Sequence, residues 1–337
     1  MPSKLSRKMK ARIISTGSYL PKKILSNHDL EKMVDTSDDW ITTRTGMKER
    51  RLAAADEFTS DMGCKAAERA IAKAGIDPEE IDFVLFATLT PDFVFPSTAC
   101  LVQSRLGLIN AAAIDIQAAC SGYLYALSMA KSFIESGTYK NILIIASEKL
   151  SSIVDYEDRN TCVLFGDGAA AALVSSEGAG LAIDHIALGA DGEQAELLIL
   201  PAGGSRQPAT TETVSKKMHF LQMEGKEVFK HAVRRMEAAA KASLEKMRIK
   251  GEDIRWMIPH QANIRIIEAI AKRFQIPMEQ VFMTIHKYGN TSASSVGIAL
   301  DELLQGNRVR NAEHLMLVAF GSGLTWGAGI LTKEEHV

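Results

Sequence analysis

Short apolar runs alternate with helical patterns along this 337-residue chain, which predicts the α/β class. Its two halves also look alike in plan. Each has a strand, then a reactive polar residue at the strand's C-terminal end, then a helix. Cys120 has that setting in the first half and His260 in the second. At roughly 150 residues per domain the length suits two such units, read here as residues 1–176 and 177–337.

The elements follow in order. Ile81–Leu89 (IDFVLFATL) reads as a buried strand, and Ala112–Ile116 as another that leads into Cys120. Tyr123, Leu127, Ala130 and Ile134 recur at helical spacing, and Gly137 ends that helix. Asn141–Ala146 (NILIIA) is a strand. Phe165-Gly166-Asp167-Gly168 turns into the apolar run Ala169–Val174. From Glu177 to about Val214 the chain is rich in Gly, Ser, Thr and Pro. It reads as an irregular crossing region with a strand-like Leu197–Leu200 inside. A long helix spans Gly225–Met247. Trp256–Ile258 is a strand ending at His260, Asn263–Phe274 is helical with Pro277 beyond its end, and Ser294–Leu304 is a further helix. Leu315–Phe320 and Gly327–Leu331 are strands around a glycine-rich turn.

Bulk properties exclude several function classes. A net charge of −2 gives no global case for binding nucleic acid or an anionic membrane. No run approaches the ~18–20 apolar residues of a membrane span. Cys64, Cys100, Cys120 and Cys162 form no C-x-x-C pair, so metal-ligand spacing is absent and reduced thiols are expected. The start, residues 1–10, is basic without an apolar stretch of signal-peptide type. Together these predict a cytoplasmic protein.

Cys120 sits in Ala-Ala-Cys-Ser-Gly-Tyr at a strand-to-helix turn. A buried cysteine usually packs as a small hydrophobe. Here Ser121 and Gly122 favour a sharp, exposed turn, and the following helix N-terminus should stabilise a thiolate. His260 lies in Pro259-His260-Gln261-Ala262-Asn263, with polar neighbours where a core strand should be dry. It can hydrogen-bond a thioester oxygen or exchange a proton near neutral pH. Asn290 lies in Gly289-Asn290-Thr291-Ser292, a turn sequence. Asparagine cannot act as a base, but its amide can donate to a developing enolate oxygen. Cysteine, histidine and asparagine together suggest acyl transfer on a thioester.

Ala119-Cys120-Ser121-Gly122, His260-Gln261-Ala262-Asn263 and Gly289-Asn290-Thr291-Ser292 resemble the β-ketoacyl-acyl carrier protein synthase III family, the initiating condensing enzymes of type II fatty acid synthesis. Asp39-Trp40-Ile41-Thr42-Thr43-Arg44-Thr45-Gly46, Phe165-Gly166-Asp167-Gly168-Ala169 and Thr325-Trp326-Gly327 fit the same family, so six ordered motifs span nearly the whole chain.

The resemblance implies a thiolase-like fold, two similar α/β halves packed as αβαβα layers, and a homodimer in which Phe95 lines the partner's acyl pocket. It implies an acyltransferase with catalytic residues Cys120, His260 and Asn290. The backbone amides of Cys120 and Ser322 would form an oxyanion hole. Ser322 stands where relatives commonly carry an unbroken glycine run. Acyl-CoA is a substrate, acetyl-CoA by default, and no cofactor or metal is implied. CoA would be held by Thr36, Trp40, Arg44, Arg159, Gly225, Phe229 and Asn263, with Trp40 facing the adenine and Arg44 a phosphate. Malonyl-acyl carrier protein is the second substrate. Its acidic carrier would dock on Lys230, Arg265, Lys272 and Arg273. Phe95 and the stretch Ala190–Thr211 would set acyl-chain preference.

Three rivals keep part of the pattern. Papain-like cysteine proteases share the chain order Cys, His, Asn but place the cysteine near a mature N-terminus. Thiolases use a second cysteine where this chain has Gly321-Ser322-Gly323, and elongating condensing enzymes use two histidines. Secondary-metabolite or longer-chain synthases of the same fold share Cys-His-Asn.

Overall fold

The computed structural model describes residues 9–335. Most of the basic start read from the sequence, residues 1–8, therefore lies outside the described residues. Among the described residues nine strands form the main sheet: β1 (Arg12–Tyr19), β2 (Phe83–Ala87), β3 (Ala112–Ile116), β4 (Asn141–Glu148), β5 (Gly168–Ser175), β6 (Gly180–Ala190), β7 (Ile254–Pro259), β8 (His314–Gly321) and β9 (Thr325–Glu334). The helices that position the site are α1 (Asp38–Thr45), α2 (Thr59–Ala74), α3 (Gly122–Glu135), α4 (Gly225–Met247), α5 (Ile264–Arg273) and α6 (Ser294–Gln305).

The strand order is β7-β8-β9-β6-β1-β5-β4-β2-β3. One pattern occurs twice in it. In the first half β1, β5 and β4 pair antiparallel, and β4, β2 and β3 pair parallel. In the second half β6, β9 and β8 pair antiparallel, β8 and β7 pair parallel, and a parallel bridge from Met257 to Val281 stands where a fifth strand would. Only Arg12–Ala182 and Ile13–Leu181 stitch the two halves into one sheet.

Both faces of each half-sheet are covered, so β2, β4, β5 and β8 read as near-continuous apolar runs rather than alternating. Along β4, Leu143 and Ile145 face outward onto α2, while Ile142, Ile144 and Ala146 face inward. Along β8, Met316, Val318 and Phe320 pack toward α4, while Leu315, Leu317 and Ala319 face inward. The inward sets share one core with α3 and α6. These two helices are buried or half-buried nearly all round, as a doubly covered helix must be. The result is five layers: α2, half-sheet, α3 with α6, half-sheet, α4. The central pair packs closely. A Cβ on Gly297 would lie 2.6 Å from Ala170 Cβ and 3.1 Å from the Tyr123 ring.

Most expected elements appear within a residue or two of their expected ends. The irregular reading of Glu177–Val214 is corrected in part: its first third is β6, an eleven-residue strand at the joint between the halves. Asp184 and His185 break its apolar run, and its outer half is only partly buried, which hid the pattern. β1 and α2 carried no expectation either. α2 packs so close to β1 that a Cβ on Gly17 would lie 2.3 Å from Ala66 O.

Candidate active site

Strand ends and helix starts of both halves meet at one cavity of about 1290 Å³. Cys120, His260 and Asn290 all line it, and each is only 6% exposed. Trp40, Arg44, Phe229, Lys230 and Arg265 line it too but are half-buried or exposed, so they mark its mouth. The cavity thus runs from a cationic, aromatic rim to a deep polar floor.

Cys120 lies in a 3-10 turn, Ala119–Ser121, between β3 and α3. Ala119 has φ +42°, a left-handed conformation costly for a residue with a side chain. Three oxygens brace the turn: Thr325 Oγ1 lies 2.9 Å from Ala118 O, 2.7 Å from Ser121 Oγ and 3.0 Å from Ser322 O. The end of β8 packs directly on it, since a Cβ on Gly321 would lie 2.6 Å from Cys120 N. Ser322 therefore follows a residue in contact with the nucleophile turn, and its hydroxyl donates to Leu198 O.

Two expectations for Cys120 are corrected. The turn is strained but not exposed. Nor is the thiolate favoured: burial pushes the Cys120 thiol up to about 12, and the nearby Glu148 carboxylate adds to the rise. The Ser292 hydroxyl and Cys120's own amide oppose it. A helix N-terminus contributes only ~0.3–2 kcal/mol to a thiolate, against burial of the whole group. Desolvation wins, and the resting group is a thiol.

His260 follows β7, with its amide donating to Val318 O at 2.7 Å. Its Nδ1 is 2.6 Å from Ser295 Oγ on α6. Burial lowers its pKa to about 3, so the imidazole is neutral. Gln261, read from sequence only as a polar neighbour, is a brace. Its Nε2 donates to Pro259 O at 2.6 Å, and its Oε1 accepts from Thr284 N and Ile285 N at 2.9 and 3.0 Å.

Asn290 is pinned through its backbone to Leu164 O and by Gly166 N, at 2.9 and 3.0 Å. Its Oδ1 accepts from Ser292 N at 2.8 Å. That leaves the amide Nδ2 as the group free to act in the cavity.

Of the expected CoA residues, Trp40, Arg44, Gly225, Phe229 and Asn263 line the cavity. Thr36 and Arg159 do not, but Arg159 lies 4.7 Å over the Trp40 ring and Arg44 lies 4.9 Å over it. Arg159 is also held by Asp35, 2.6 Å from its backbone oxygen. Thr36 Oγ1 is buried without a partner among the described residues. Of the expected docking residues, Lys230 and Arg265 reach the cavity. Lys272 and Arg273 lie at the far end of α5, where Arg273 pairs with Glu237 at 3.3 Å. Phe95 is 85% exposed and lies outside this chain's own cavity. Within Ala190–Thr211, Leu198, Ile199 and Leu200 line it.

Sequence reasoning missed Ser292, Ser295, Thr325 and Glu148. Ser292 and Thr325 stand within motifs quoted above but were given no role, Ser295 left no signal, and Glu148 left one of its own: an acid closing the otherwise apolar strand NILIIASE. It is fully buried, and burial raises its carboxyl to about 7.

Comparison with known proteins agrees with this site. Residues 114–192 match the family described as 3-oxoacyl-(acyl-carrier-protein) synthase III, and residues 244–333 match its C-terminal part. β-Ketoacyl-acyl carrier protein synthase III of Chlamydia pneumoniae is 59% identical over 98% of both chains. That of Caldanaerobacter subterraneus is 52% identical over 97% of this chain and 99% of the other. The crystal structure of 3-oxoacyl-acyl carrier protein synthase III from Aquifex aeolicus superposes with a TM-score of 0.88 at 49% identity, covering 96% of this chain and 99% of that one. With 59% identity over nearly the full length, and with a cysteine, a histidine and an asparagine on the floor of one cavity of this fold, the chain belongs to the β-ketoacyl-acyl carrier protein synthase III family.

Proposed function

We propose that the protein condenses an acyl-CoA starter with malonyl-acyl carrier protein to give a β-ketoacyl-acyl carrier protein, the initiating step of fatty acid synthesis. The convergence of Cys120, His260 and Asn290 on one buried floor carries this reading.

In the first half-reaction Cys120 sulfur attacks the thioester carbonyl. The new C–S bond forms as the bond to CoA sulfur breaks, and the thiol proton leaves with CoA. The backbone amides of Cys120 and Ser322 receive the oxyanion, a role suited to groups held rigidly next to the nucleophile. In the second, the malonyl carboxylate leaves as carbon dioxide and its bonding pair becomes an enolate. His260 Nε2–H and Asn290 Nδ2–H donate to the enolate oxygen. This role requires Ser295 Oγ–H to donate to His260 Nδ1. Ser295 Oγ also faces the Gln261 N–H at 3.4 Å, which leaves its own proton for that purpose. A histidine that burial keeps neutral suits an electrophilic role better than proton abstraction. The carbanion then attacks the acyl-Cys120 carbonyl, the C–S bond breaks, and the product leaves as the released Cys120 sulfur takes up one proton from water to restore the thiol. Hydrogen bonds supply all the polarisation these steps need, so acyl-CoA acts as substrate and no cofactor is called for.

Trp40, Arg44 and Arg159 suit CoA, with adenine stacking once one guanidinium moves off the ring. Arg44 makes no ion pair among the described residues, so it is the one free to turn to a phosphate. Lys230 and Arg265 suit an acidic carrier at the mouth. A homodimer is supported by β3, an outermost strand with Ala112 and Ile114 exposed, beside Phe93, Val94 and Phe95, which are 58%, 90% and 85% exposed. Phe95 would then reach the partner's acyl pocket. Four free cysteines suit the reducing cytoplasm.

Incubating the protein with acetyl-CoA and malonyl-acyl carrier protein tests the reading. Acetoacetyl-acyl carrier protein and carbon dioxide in equal amounts are expected. Product from longer acyl-CoA alone would keep the chemistry and change the starter. No condensation with any acyl-CoA would overturn the proposal.

A further inference from the structure

Glu148 has no place in the chemistry above, yet it is the most heavily bonded group near it. It ends β4 fully buried, with no cation in ion-pair distance among the described residues. A carboxyl in that position is costly unless its oxygens are satisfied. One oxygen is saturated by its own half of the molecule. Oε2 accepts from Thr88 Oγ1 at 3.1 Å, Thr90 Oγ1 at 2.6 Å, Leu89 N at 3.1 Å and Thr90 N at 3.2 Å. The other turns across to the second half: Oε1 accepts from Ser292 Oγ at 3.1 Å, with a longer contact to Leu89 N at 3.3 Å.

Ser292 is the residue that fixes Asn290. Its N–H donates to Asn290 Oδ1. It does so from φ +51°, a left-handed conformation that a serine holds only when its surroundings impose it. The Asn290 backbone is already pinned on both sides, so only its side-chain torsions remain to be set. The Ser292 amide sets them, and the Glu148 carboxyl holds Ser292 in place to do so.

We propose that Glu148 is a positioning residue for decarboxylation, acting through Ser292 to aim the Asn290 amide into the cavity, an assignment that rests on the role given to Asn290 above. Glu148 touches neither substrate nor the reacting atoms. Its other electrostatic effect runs against the first half-reaction, since its charge helps hold Cys120 as a thiol. The two half-reactions should therefore respond differently when Glu148 is changed. A general packing defect would slow both.

The test follows each half-reaction in Glu148→Gln, Asn290→Ala and the double variant. Decarboxylation of malonyl-acyl carrier protein without acyl-CoA reads the second, and intact mass of the acetylated enzyme reads the first. Glu148→Gln should slow decarboxylation by about tenfold or more, with KM for malonyl-acyl carrier protein little changed and acetylation of Cys120 not slowed. On the Asn290→Ala background it should add less than about twofold, because its effect runs through Asn290. Equal slowing of both half-reactions, full multiplication with Asn290→Ala, or unchanged decarboxylation would each overturn the assignment. Wild-type decarboxylation in Asn290→Ala would overturn the role of Asn290 itself, and this assignment with it. Should Glu148→Gln fail to fold, Ser292→Ala enters the same cycle on decarboxylation. It removes the hydroxyl, with its bond to Glu148 and its contact on Cys120, and keeps the amide, so decarboxylation without acyl-CoA alone is read and the same outcomes decide.

Discussion

Gly321→Ala should disable the nucleophile without disturbing CoA or carrier binding. The new methyl would sit 2.6 Å from Cys120 N, 3.2 Å from Ala119 Cβ and 3.2 Å from Ser121 N. Ordinary contact begins near 3.5 Å, so the turn or the end of β8 must yield by roughly 0.9 Å. Neither gives way easily. β8 pairs along its whole length with β9, and the turn is braced by Thr325 and already strained at Ala119. A misplacement near 1 Å costs about a hundredfold in rate where reacting groups must align. Overpacking should also cost ~1–3 kcal/mol of stability. The assay is a time course of Cys120 acetylation by intact mass at saturating acetyl-CoA, beside a melting curve. A loss of about a hundredfold with a small fall in melting temperature is expected. Wild-type acetylation in a folded variant would refute the claim that the Gly321–Gly323 loop and the Cys120 turn form one rigid unit.

Ser322→Gly removes the bond to Leu198 O and frees the wall that Leu198–Leu200 gives the cavity. Acetyl-CoA turnover should stay within about twofold while kcat/KM for longer acyl-CoAs rises several-fold, read across a chain-length series. Trp40→Ala should raise KM for acetyl-CoA by roughly tenfold, the loss of one stacking partner, and leave malonyl-acyl carrier protein decarboxylation unchanged. His260, buried with its pKa lowered to about 3, should stay neutral through pH 5–8, so decarboxylation should show no inflection near 6.5 from this group. Because the unfolded chain takes up that proton first, the His260 contribution to stability is complete above about 6.5 and is lost as pH falls toward 3. His260→Gln should therefore flatten the acid fall of the melting temperature, a change that Glu148, raised to about 7 and running the opposite way, does not produce. Gly297→Ala should lower the melting temperature, as overpacking by ~1–3 kcal/mol requires, because its methyl meets Ala170 and Tyr123 where α3 and α6 cross the central layer.

The sequence made α3, α4, α5 and α6 legible because each buries one stripe or its whole circumference at helical spacing. The strands that lead to the site were legible for the complementary reason: doubly covered strands are unbroken apolar runs. β6 was not, because Asp184 and His185 break its apolar run and its outer half is only partly buried. Cys120, His260 and Asn290 were legible because polar residues at strand ends stand out against their surroundings. The residues that aim them were not. The Ser292, Ser295 and Thr325 hydroxyls reach Glu148, His260 and the Cys120 turn, all far off in sequence, and no local pattern marks those contacts. The state of the thiol was unreadable for a similar reason. A helix N-terminus can be seen in a sequence, but the burial that outweighs it depends on how both halves close around the turn.

The most direct test is the intact mass of the protein after incubation with acetyl-CoA alone, with Cys120→Ser alongside. One acetyl group gained by the wild-type chain, mapped to Cys120 and absent from the variant, is the predicted result. A wild-type chain that gains no acyl group from any CoA thioester, or a Cys120→Ser variant acylated as fully as the wild type, would contradict the account.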